Sequence, residues 1–264
     1  TVAIAADGSL SIASVHTLAE FGERLIALGS HQCLIYGVPP HDGMGLMSKS
    51  NWNNAGCPPN VTTRTKEVFK WPNGAGILML DYDAPKDGTA ALNRDDLLAA
   101  VHKVCPMLSE SDALWVPSTS SEIYNSETNE QLTGIKGQRI YFMLKDASDI
   151  PRTGKALLTY LWAAGYGRFE VSSSGSLLER GLFDATVWQT NRIDFAGGAS
   201  CNKPLEQRRG VPQLIEGAYR TVDSRLAVPE PSADVIAVAD MNRSMAKTGL
   251  AGEVSRKRAA WGDA

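Results

Sequence analysis

Two aspartates, Asp81 and Asp83, end an apolar run at residues 77–80 and are separated by Tyr82. This order of residues predicts a buried strand that leaves the core at a rim. Because side chains alternate along a strand, the two carboxylates share one face about 7 Å apart, while the tyrosine points the other way. Both carboxylates could therefore reach hard divalent cations, an arrangement suited to phosphate chemistry.

An ordinary strand end is the alternative interpretation of this motif. Aspartates at such ends often cap a turn or face solvent without any further role. The apolar run favours the functional interpretation, because it would place two like charges beside a packed sheet. A bound metal ion would relieve the repulsion between them.

Composition limits the function classes. The chain has 264 residues, 43% of them hydrophobic, and 29 acidic against 26 basic residues, so the overall charge does not predict a nucleic-acid partner. The four cysteines form no Cys-x-x-Cys pair, which indicates neither a zinc knuckle nor a disulfide framework. Without an apolar run of ~18 residues or a visible leader, we expect a cytoplasmic protein and no membrane partner. The start at Thr1 suggests a fragment of a longer protein.

The elements that would position the aspartates follow from periodicity and turn residues. Ser14 is predicted to cap the first helix and Asn93 a later one. Predicted helices cover residues 14–29, 93–104 and 149–165. Predicted strands cover residues 33–38, 77–83, 113–117, 138–145, 168–172 and 192–195. A loop is predicted at residues 39–60 and a turn at residues 84–88. From about residue 205 we expect helices. The pattern predicts an α+β fold with a mixed, largely antiparallel sheet flanked by helices.

Two further motifs accompany the aspartate pair. Lys136 and Arg139 stand at the start of the strongly β-like run 138–145, and Asp184 is followed by Arg192 and a Gly-Gly pair. In order, separation and strand context, the three motifs resemble the archaeo-eukaryotic primase superfamily, specifically the primase-polymerases of plasmids, phages and other mobile elements. The likeness covers roughly residues 75–210. It implies a primase-type catalytic domain at 1–210 and a small helical appendage at 211–264.

The resemblance implies a DNA primase or primase-polymerase that makes primers on a single-stranded DNA template from nucleoside triphosphates. The implied chemistry is nucleotidyl transfer with two Mg²⁺ or Mn²⁺ ions. The catalytic metal ligands would be Asp81, Asp83 and Asp184, with Asp194 as the alternative third acid. The implied nucleotide-binding residues are Ser120, Lys136, Arg139, Arg180, Arg192 and Lys203. The appendage would help to recognise template, and a replicative helicase, in the same chain or separate, is a candidate partner.

One residue departs from the family pattern, because Arg139 stands where the family usually has histidine. Arginine can bind a triphosphate bidentately and does not titrate. The same departure leaves open an origin-binding replication module whose active site has decayed. A metal-dependent glycosyltransferase also uses Asp-x-Asp, but that reading does not account for the basic motif and the third acid.

Several of these assignments have a plainer alternative. Each basic residue could be an ordinary surface charge. Trp71, Tyr82, Tyr141 and Trp188 could stack on a base, although aromatic side chains more often belong to the core.

Overall fold

The computed structural model describes residues 7–85 and 90–262, so the predicted turn at 84–88 lies partly outside the described residues. The strands are β1 (Asp7–Ser9), β2 (Leu34–Ile35), β3 (Gly45–Met47), β4 (Val61–Thr63), β5 (Gly76–Asp83), β6 (Ala113–Pro117), β7 (Ile123–Asn125), β8 (Gln131–Thr133), β9 (Gly137–Leu144), β10 (Arg168–Val171), β11 (Leu177–Arg180), β12 (Ile193–Asp194), β13 (Leu205–Gln207) and β14 (Gln213–Ile215). The helices are α1 (Leu18–Ala27), α2 (Lys49–Asn54), α3 (Arg94–Val104), α4 (Ile150–Ala163), α5 (Ser224–Ala227), α6 (Ala233–Gly249) and α7 (Ala251–Gly262).

A four-stranded antiparallel sheet, in the order β14-β6-β9-β5, forms the centre of the fold. The eight residues of β5 pair with the eight residues of β9, and this register sets Asp81 opposite Arg139 and Asp83 opposite Gly137. Every residue of β9 is buried, so both faces of the sheet are covered. The predicted α+β fold with a largely antiparallel sheet is confirmed, and β3 and β4 supply a parallel pair.

Different elements cover the two faces of this sheet. On the face of Asp81 and Arg139, Phe21 of α1 packs edge-on against Tyr141 of β9, with ring centroids 5.1 Å apart. On the opposite face, the side chain of Gln138 donates to the carbonyl of Leu92, just before α3, at 2.6 Å. The helices thus hold β5 and β9 in place and leave only the end of β5 near the surface.

The free edge of β5 is covered by the segment that follows β11. The Asp184 amide donates to the Asp81 carbonyl at 2.9 Å, and the Trp188 indole Nε1 donates to the Met79 carbonyl at 3.0 Å. The Trp188 ring packs on Gly154 of α4 so closely that a Cβ at that position would overlap it. This edge cover therefore places the third acidic motif beside the first.

Local predictions succeeded where a cap or an apolar run was clear. Asn93 caps α3, as predicted, because its side chain accepts from the Asp96 amide at 2.9 Å. The predicted cap of the first helix, Ser14, is wrong: α1 starts at Leu18, and its N-cap is Thr17. The predicted loop at 39–60 is also wrong in part, because it contains β3 and α2.

The C-terminal region is helical from α5 onward, which confirms the predicted helical region. The predicted start near residue 205 is wrong, because residues 205–207 and 213–215 form β13 and β14. Its first residues, however, form β14, the edge strand next to β6 in the central sheet. The helix α6 is held on α4, where Asn242 donates to the Trp162 carbonyl at 2.9 Å, and Lys257 of α7 donates to the Val171 carbonyl at 2.8 Å. The boundary at residue 210 stays a prediction, but strand pairing ties residues 213–215 to the central sheet.

A buried carboxylate joins α4 to α5. Asp149 accepts hydrogen bonds from Arg152 Nη2 at 2.6 Å and from the Ser224 hydroxyl at 2.5 Å. The hydrogen bonds from Arg152 are the largest influence lowering the pKa of the Asp149 carboxyl to about 2.

No helix within 7–85 or 90–262 combines the length and apolar character needed to cross a bilayer.

Candidate active site

The two aspartates of the first motif lie at the surface end of β5. The Asp81 side chain is 21% exposed, while Asp83, two residues further on the same face, is exposed. Tyr82 between them points into the core, and its hydroxyl accepts from the Leu92 amide at 2.9 Å. The strand therefore delivers one partly buried and one open carboxylate to a single face, as the alternation in the sequence predicted.

Arg139 lies directly across from Asp81 on β9, and only 8% of its side chain is exposed. Its Nε is 3.3 Å from Asp81 Oδ1, and its Nη1 is 2.8 Å from Asp194 Oδ1. The hydrogen bond of Nη1 goes to the Phe195 carbonyl at 3.2 Å. Burial lowers the pKa of the Arg139 guanidinium, but Asp194, Tyr141 and Asp81 outweigh it and raise that pKa overall. The guanidinium is thus a permanent, internally paired charge.

Asp194, the alternative third acid, is 1% exposed. Its Oδ2 accepts from the Tyr36 hydroxyl at 2.5 Å and from the Tyr141 hydroxyl at 2.8 Å. Burial, and then the charge of Asp194, raise the pKa of both tyrosines well above the usual value. Because its donors come from β9 and the segment after β2, Asp194 joins the β2–β12 pair to the central sheet and holds Arg139 in place.

Asp184, the favoured third acid, is closer to the solvent-facing part of the site. It precedes a short 3₁₀ turn, where its carboxylate accepts from the Thr186 amide at 2.9 Å and from the Thr186 hydroxyl at 2.8 Å. Arg192 Nη2 lies 3.5 Å from Asp184 Oδ2, and both side chains are partly exposed. The backbone hydrogen bond to Asp81 therefore brings acids from two distant segments together, and Arg192, from the same motif as Asp184, lies beside Asp184.

The electrostatics of the site centre on Asp81. Burial raises the pKa of its carboxyl to about 6; Arg139 acts to lower that pKa, whereas Asp83, Asp194 and Asp184 raise it. Four carboxylates thus influence one another, and Arg139 compensates them only in part. A surplus of negative charge beside a packed sheet is the condition in which a hard cation binds favourably.

The fit of the site to a divalent cation depends on the donor type. Asp81, Asp83 and Asp184 offer the carboxylate oxygens that Mg²⁺ and Mn²⁺ prefer. Within the described residues, no three Asp, Glu, His or Cys side chains are grouped closely enough to hold an ion together. The three carboxylates thus fit a divalent cation in charge and donor type. That they coordinate one ion together is part of the proposal below.

Two of the predicted nucleotide-binding residues flank the end of β5. Lys136 is exposed, and its carbonyl accepts from the Ala84 amide at 3.0 Å, which places it beside Asp83. Ser120 is exposed on the turn after β6, where its hydroxyl lies 2.9 Å from that of Ser118. These positions suit contact with a ligand at the rim, although ligand binding by these residues stays a prediction.

The remaining predicted basic residues lie apart from this group. Arg180 pairs with Glu170 at 3.1 Å within the β10–β11 hairpin, and Lys203 is exposed in the loop before β13. In the part of the chain that the structure describes, neither forms an ion pair with the aspartates of the site. Arg192, in contrast, lies 3.5 Å from Asp184, an acid of the candidate site.

Sequence reasoning missed several structural roles near the site. Tyr36 is a hydrogen-bond donor to Asp194, which only long-range pairing reveals. The buried Ser121 hydroxyl accepts from the amides of Lys136 and Gly137 at 3.0 and 3.1 Å and fixes the start of β9. The cluster of serines and threonine at residues 118–121 is the signal that could have indicated it.

The aromatic residues considered for base stacking are core residues in most cases. Tyr82, Tyr141 and Trp188 are buried, and Trp71 is partly buried against the core. Their rings therefore support the sheet.

Comparison of the chain with protein-family models, with curated proteins and with solved structures finds no match. The primase resemblance therefore depends on the residues and on the geometry described above.

Proposed function

We propose that this chain is a DNA primase or primase-polymerase of a mobile element, which extends or initiates primers on single-stranded DNA by nucleotidyl transfer. The observation that carries the proposal is the convergence of Asp81, Asp83 and Asp184 beside the buried Arg139 at the open end of β5. These residues belong to the three motifs of the resemblance. Asp81 and Arg139 are 58 residues apart in the chain. Their meeting at one surface supports a shared chemical task.

The three acids would hold two Mg²⁺ or Mn²⁺ ions. When bound, such ions would make the primer 3′ hydroxyl nucleophilic and stabilise the pyrophosphate leaving group. Asp81 is suited to this role because β5 is fixed on both faces, whereas Asp83 is free to adjust at the rim.

The basic residues divide into two groups by their contacts. Arg139 is committed to Asp81 and Asp194, so its role is to hold the Asp81 carboxylate in a fixed orientation. Lys136 and Arg192 are exposed and lie beside the acids, where they would neutralise the triphosphate. The ionic partner of Arg192 is 3.5 Å away and partly exposed, so a phosphate can replace it at small cost.

Primer synthesis on a single-stranded template, with nucleoside triphosphates and Mg²⁺ or Mn²⁺, tests this proposal. The double variant Asp81→Asn, Asp83→Asn should lose product formation, whereas the control Asp95→Asn, Asp240→Asn should keep it. The control removes the same charge from exposed acids whose ion pair, within the described residues, is with an arginine on their own helix. Wild-type product yield from the Asp81, Asp83 double variant would refute the catalytic assignment.

A second candidate is a nucleic-acid-binding replication module without catalysis. The internal pairing of Arg139 favours it, because an arginine held by two carboxylates is a poor substitute for a free nucleotide-binding side chain. This candidate predicts binding of single-stranded DNA but no nucleotide incorporation by the wild-type chain. The same assay, combined with a binding measurement, therefore separates the two candidates.

A further inference from the structure

A cleft of about 550 Å³ lies between the C-terminal end of α1 and residues 197–212. Ile26 and Leu28 line its α1 side, and Arg209 and Val211 line the other. Ile26 and Val211 are largely exposed, at 59% and 62%. A cleft of this size, with an apolar α1 side and a cation on the opposite side, suits a small ligand or a segment of a larger one that carries both apolar and anionic groups.

Arg209 carries the unusual charge of this cleft. Its Nη2 donates to the Ala196 carbonyl at 2.6 Å, while its Nη1 is buried and makes no hydrogen bond within the described protein. No carboxylate in residues 7–85 or 90–262 lies within ion-pair distance of it. Burial, and then the nearby Arg139 charge, lower the pKa of the Arg209 guanidinium. A partly buried cation without a counter-ion is costly, and a bound anion would relieve that cost.

The neighbouring Arg208 shows the contrast. It pairs with Glu206, donates to the Asn129 side chain at 2.5 Å, and lies 4.6 Å from the centroid of the Tyr124 ring. Among the described residues that line the cleft, Glu206 is the acidic one, and Arg208 already occupies it. Of two adjacent arginines, one is therefore internally satisfied, whereas the other has no carboxylate partner among the described residues.

The cleft adjoins the candidate active site through one loop. Consecutive carbonyls of this loop bind the buried Arg139 and the partly buried Arg209: Phe195 accepts from Arg139, and Ala196 accepts from Arg209. The Gln207 side chain, on the cleft side, accepts from the Ala199 amide at 2.7 Å and donates to the Ser121 carbonyl at 2.9 Å. A phosphate bound at Arg209 would thus be separated from Arg139, the partner of Asp81, by the loop that contains Phe195 and Ala196.

We infer that Arg209 binds a phosphate group of a nucleotide in this cleft, with the sugar or base against the apolar α1 wall. The identification of the anion as a nucleotide phosphate rests on the proposed function; the need for an anion rests on the charge of Arg209 alone. The phosphate belongs either to the DNA strand or to a free nucleoside triphosphate. These sources share the same chemistry, and separate arms of one experiment distinguish them.

The experiment measures binding of a fluorescently labelled single-stranded oligonucleotide to the full chain by anisotropy, with EDTA present, and then its competition by ATP. Arg209→Gln should weaken the binding of either the oligonucleotide or ATP about tenfold, as expected for loss of a charged phosphate contact. If the DNA strand supplies the phosphate, the slope of the logarithm of the binding constant against the logarithm of the salt concentration should also decrease in magnitude by about one. Arg208→Gln removes the same charge one residue away and should change affinity less than twofold. Loss in the oligonucleotide arm assigns the strand phosphate, and loss in the ATP arm alone assigns the triphosphate.

Equal weakening by the two variants, no weakening by Arg209→Gln, or no binding of either ligand by the wild-type chain would overturn the inference. Thermal unfolding of each variant separates lost contact from lost structure. If Arg209→Gln does not fold, Arg209→Met, which keeps the packing of the stem, replaces it in the same comparison. A wild-type chain that binds through Arg209 but makes no primer would refute the proposed function and leave this inference intact.

Discussion

Replacing Asp81 by asparagine is expected to make the folded chain more stable relative to the wild type as the pH rises from 4 to 8, although it removes a proposed catalytic residue. Burial raises the pKa of the Asp81 carboxyl from 3.8 to about 6, against the opposing influence of Arg139. The folded chain therefore holds the proton of this group more tightly than the unfolded chain does. Ionisation of this carboxyl group therefore lowers the free energy of unfolding.

The size of the effect follows from the pKa difference. A rise of about 2 units, at 1.36 kcal/mol for each unit, corresponds to about 3 kcal/mol. This stabilising contribution is fully present below the unfolded-state pKa of 3.8 and is lost as the pH rises through about 6. Asparagine does not titrate, so the variant lacks this loss. The stability of Asp81→Asn relative to the wild type should therefore increase by about 2 to 3 kcal/mol between pH 4 and pH 8.

Urea unfolding followed by tryptophan fluorescence, at one-unit steps from pH 4 to pH 8 and without divalent cations, measures this difference. Asp83→Asn is the matched control, since it makes the same charge change on the same face of β5 at an exposed position. Its stability should stay within about 0.5 kcal/mol of the wild type at each pH. A relative stability of Asp81→Asn that is constant with pH, or that falls, would refute the reasoning, because Asp81 would then be as well solvated in the fold as in the unfolded chain.

Three further changes test the packing and charge pairs around the site. Asp149→Asn should lower the free energy of unfolding at pH 7 by about 2 to 4 kcal/mol, and the deficit should shrink as the pH falls from about 4 through 2, as urea titrations can show. Gly154→Ala should destabilise by more than about 2 kcal/mol in thermal unfolding, because its Cβ would overlap the indole ring on the sheet edge. Asp194→Asn should cost about 3 kcal/mol in urea unfolding, since Arg139 would lose a buried charged partner.

Each of these changes has a control or an outcome that contradicts it. Gly249→Ala, where a Cβ would meet no other atom, should change stability by less than about 1 kcal/mol. Loss of stability at Asp149 that is independent of pH would mean that the charge of its carboxylate is unimportant. A fully stable Asp194→Asn would show that Asp81 alone satisfies Arg139.

The central strands were predictable because their apolar runs are long and end at turn residues. β5 and β9 lie close to their predicted positions, and the cap at Asn93 is a local signal that needs no tertiary information. The first helix begins later than predicted, since Thr17 competes with Ser14 as a cap and only the fold decides between them. β3 and α2 are too short for a periodic signal within a segment rich in Gly, Asn and Pro.

The partners of the site residues were less predictable. The sequence left Asp184 and Asp194 as alternatives, and the fold gives them different surroundings: Asp184 is partly exposed beside Asp81, and Asp194 is buried against Arg139. The pairing of Arg139 with both Asp81 and Asp194 joins segments that lie far apart in the chain. Arg209 carried no local signal, because an unpaired charge is recognisable only once its neighbours are known.

The covered edge of β5 links the candidate active site to solubility. The residues that shield this strand also carry Asp184, so a displacement of the acid toward a ligand would release two main-chain acceptors and an apolar strand to neighbouring molecules. Mutations that loosen this segment should therefore favour self-association before they abolish folding.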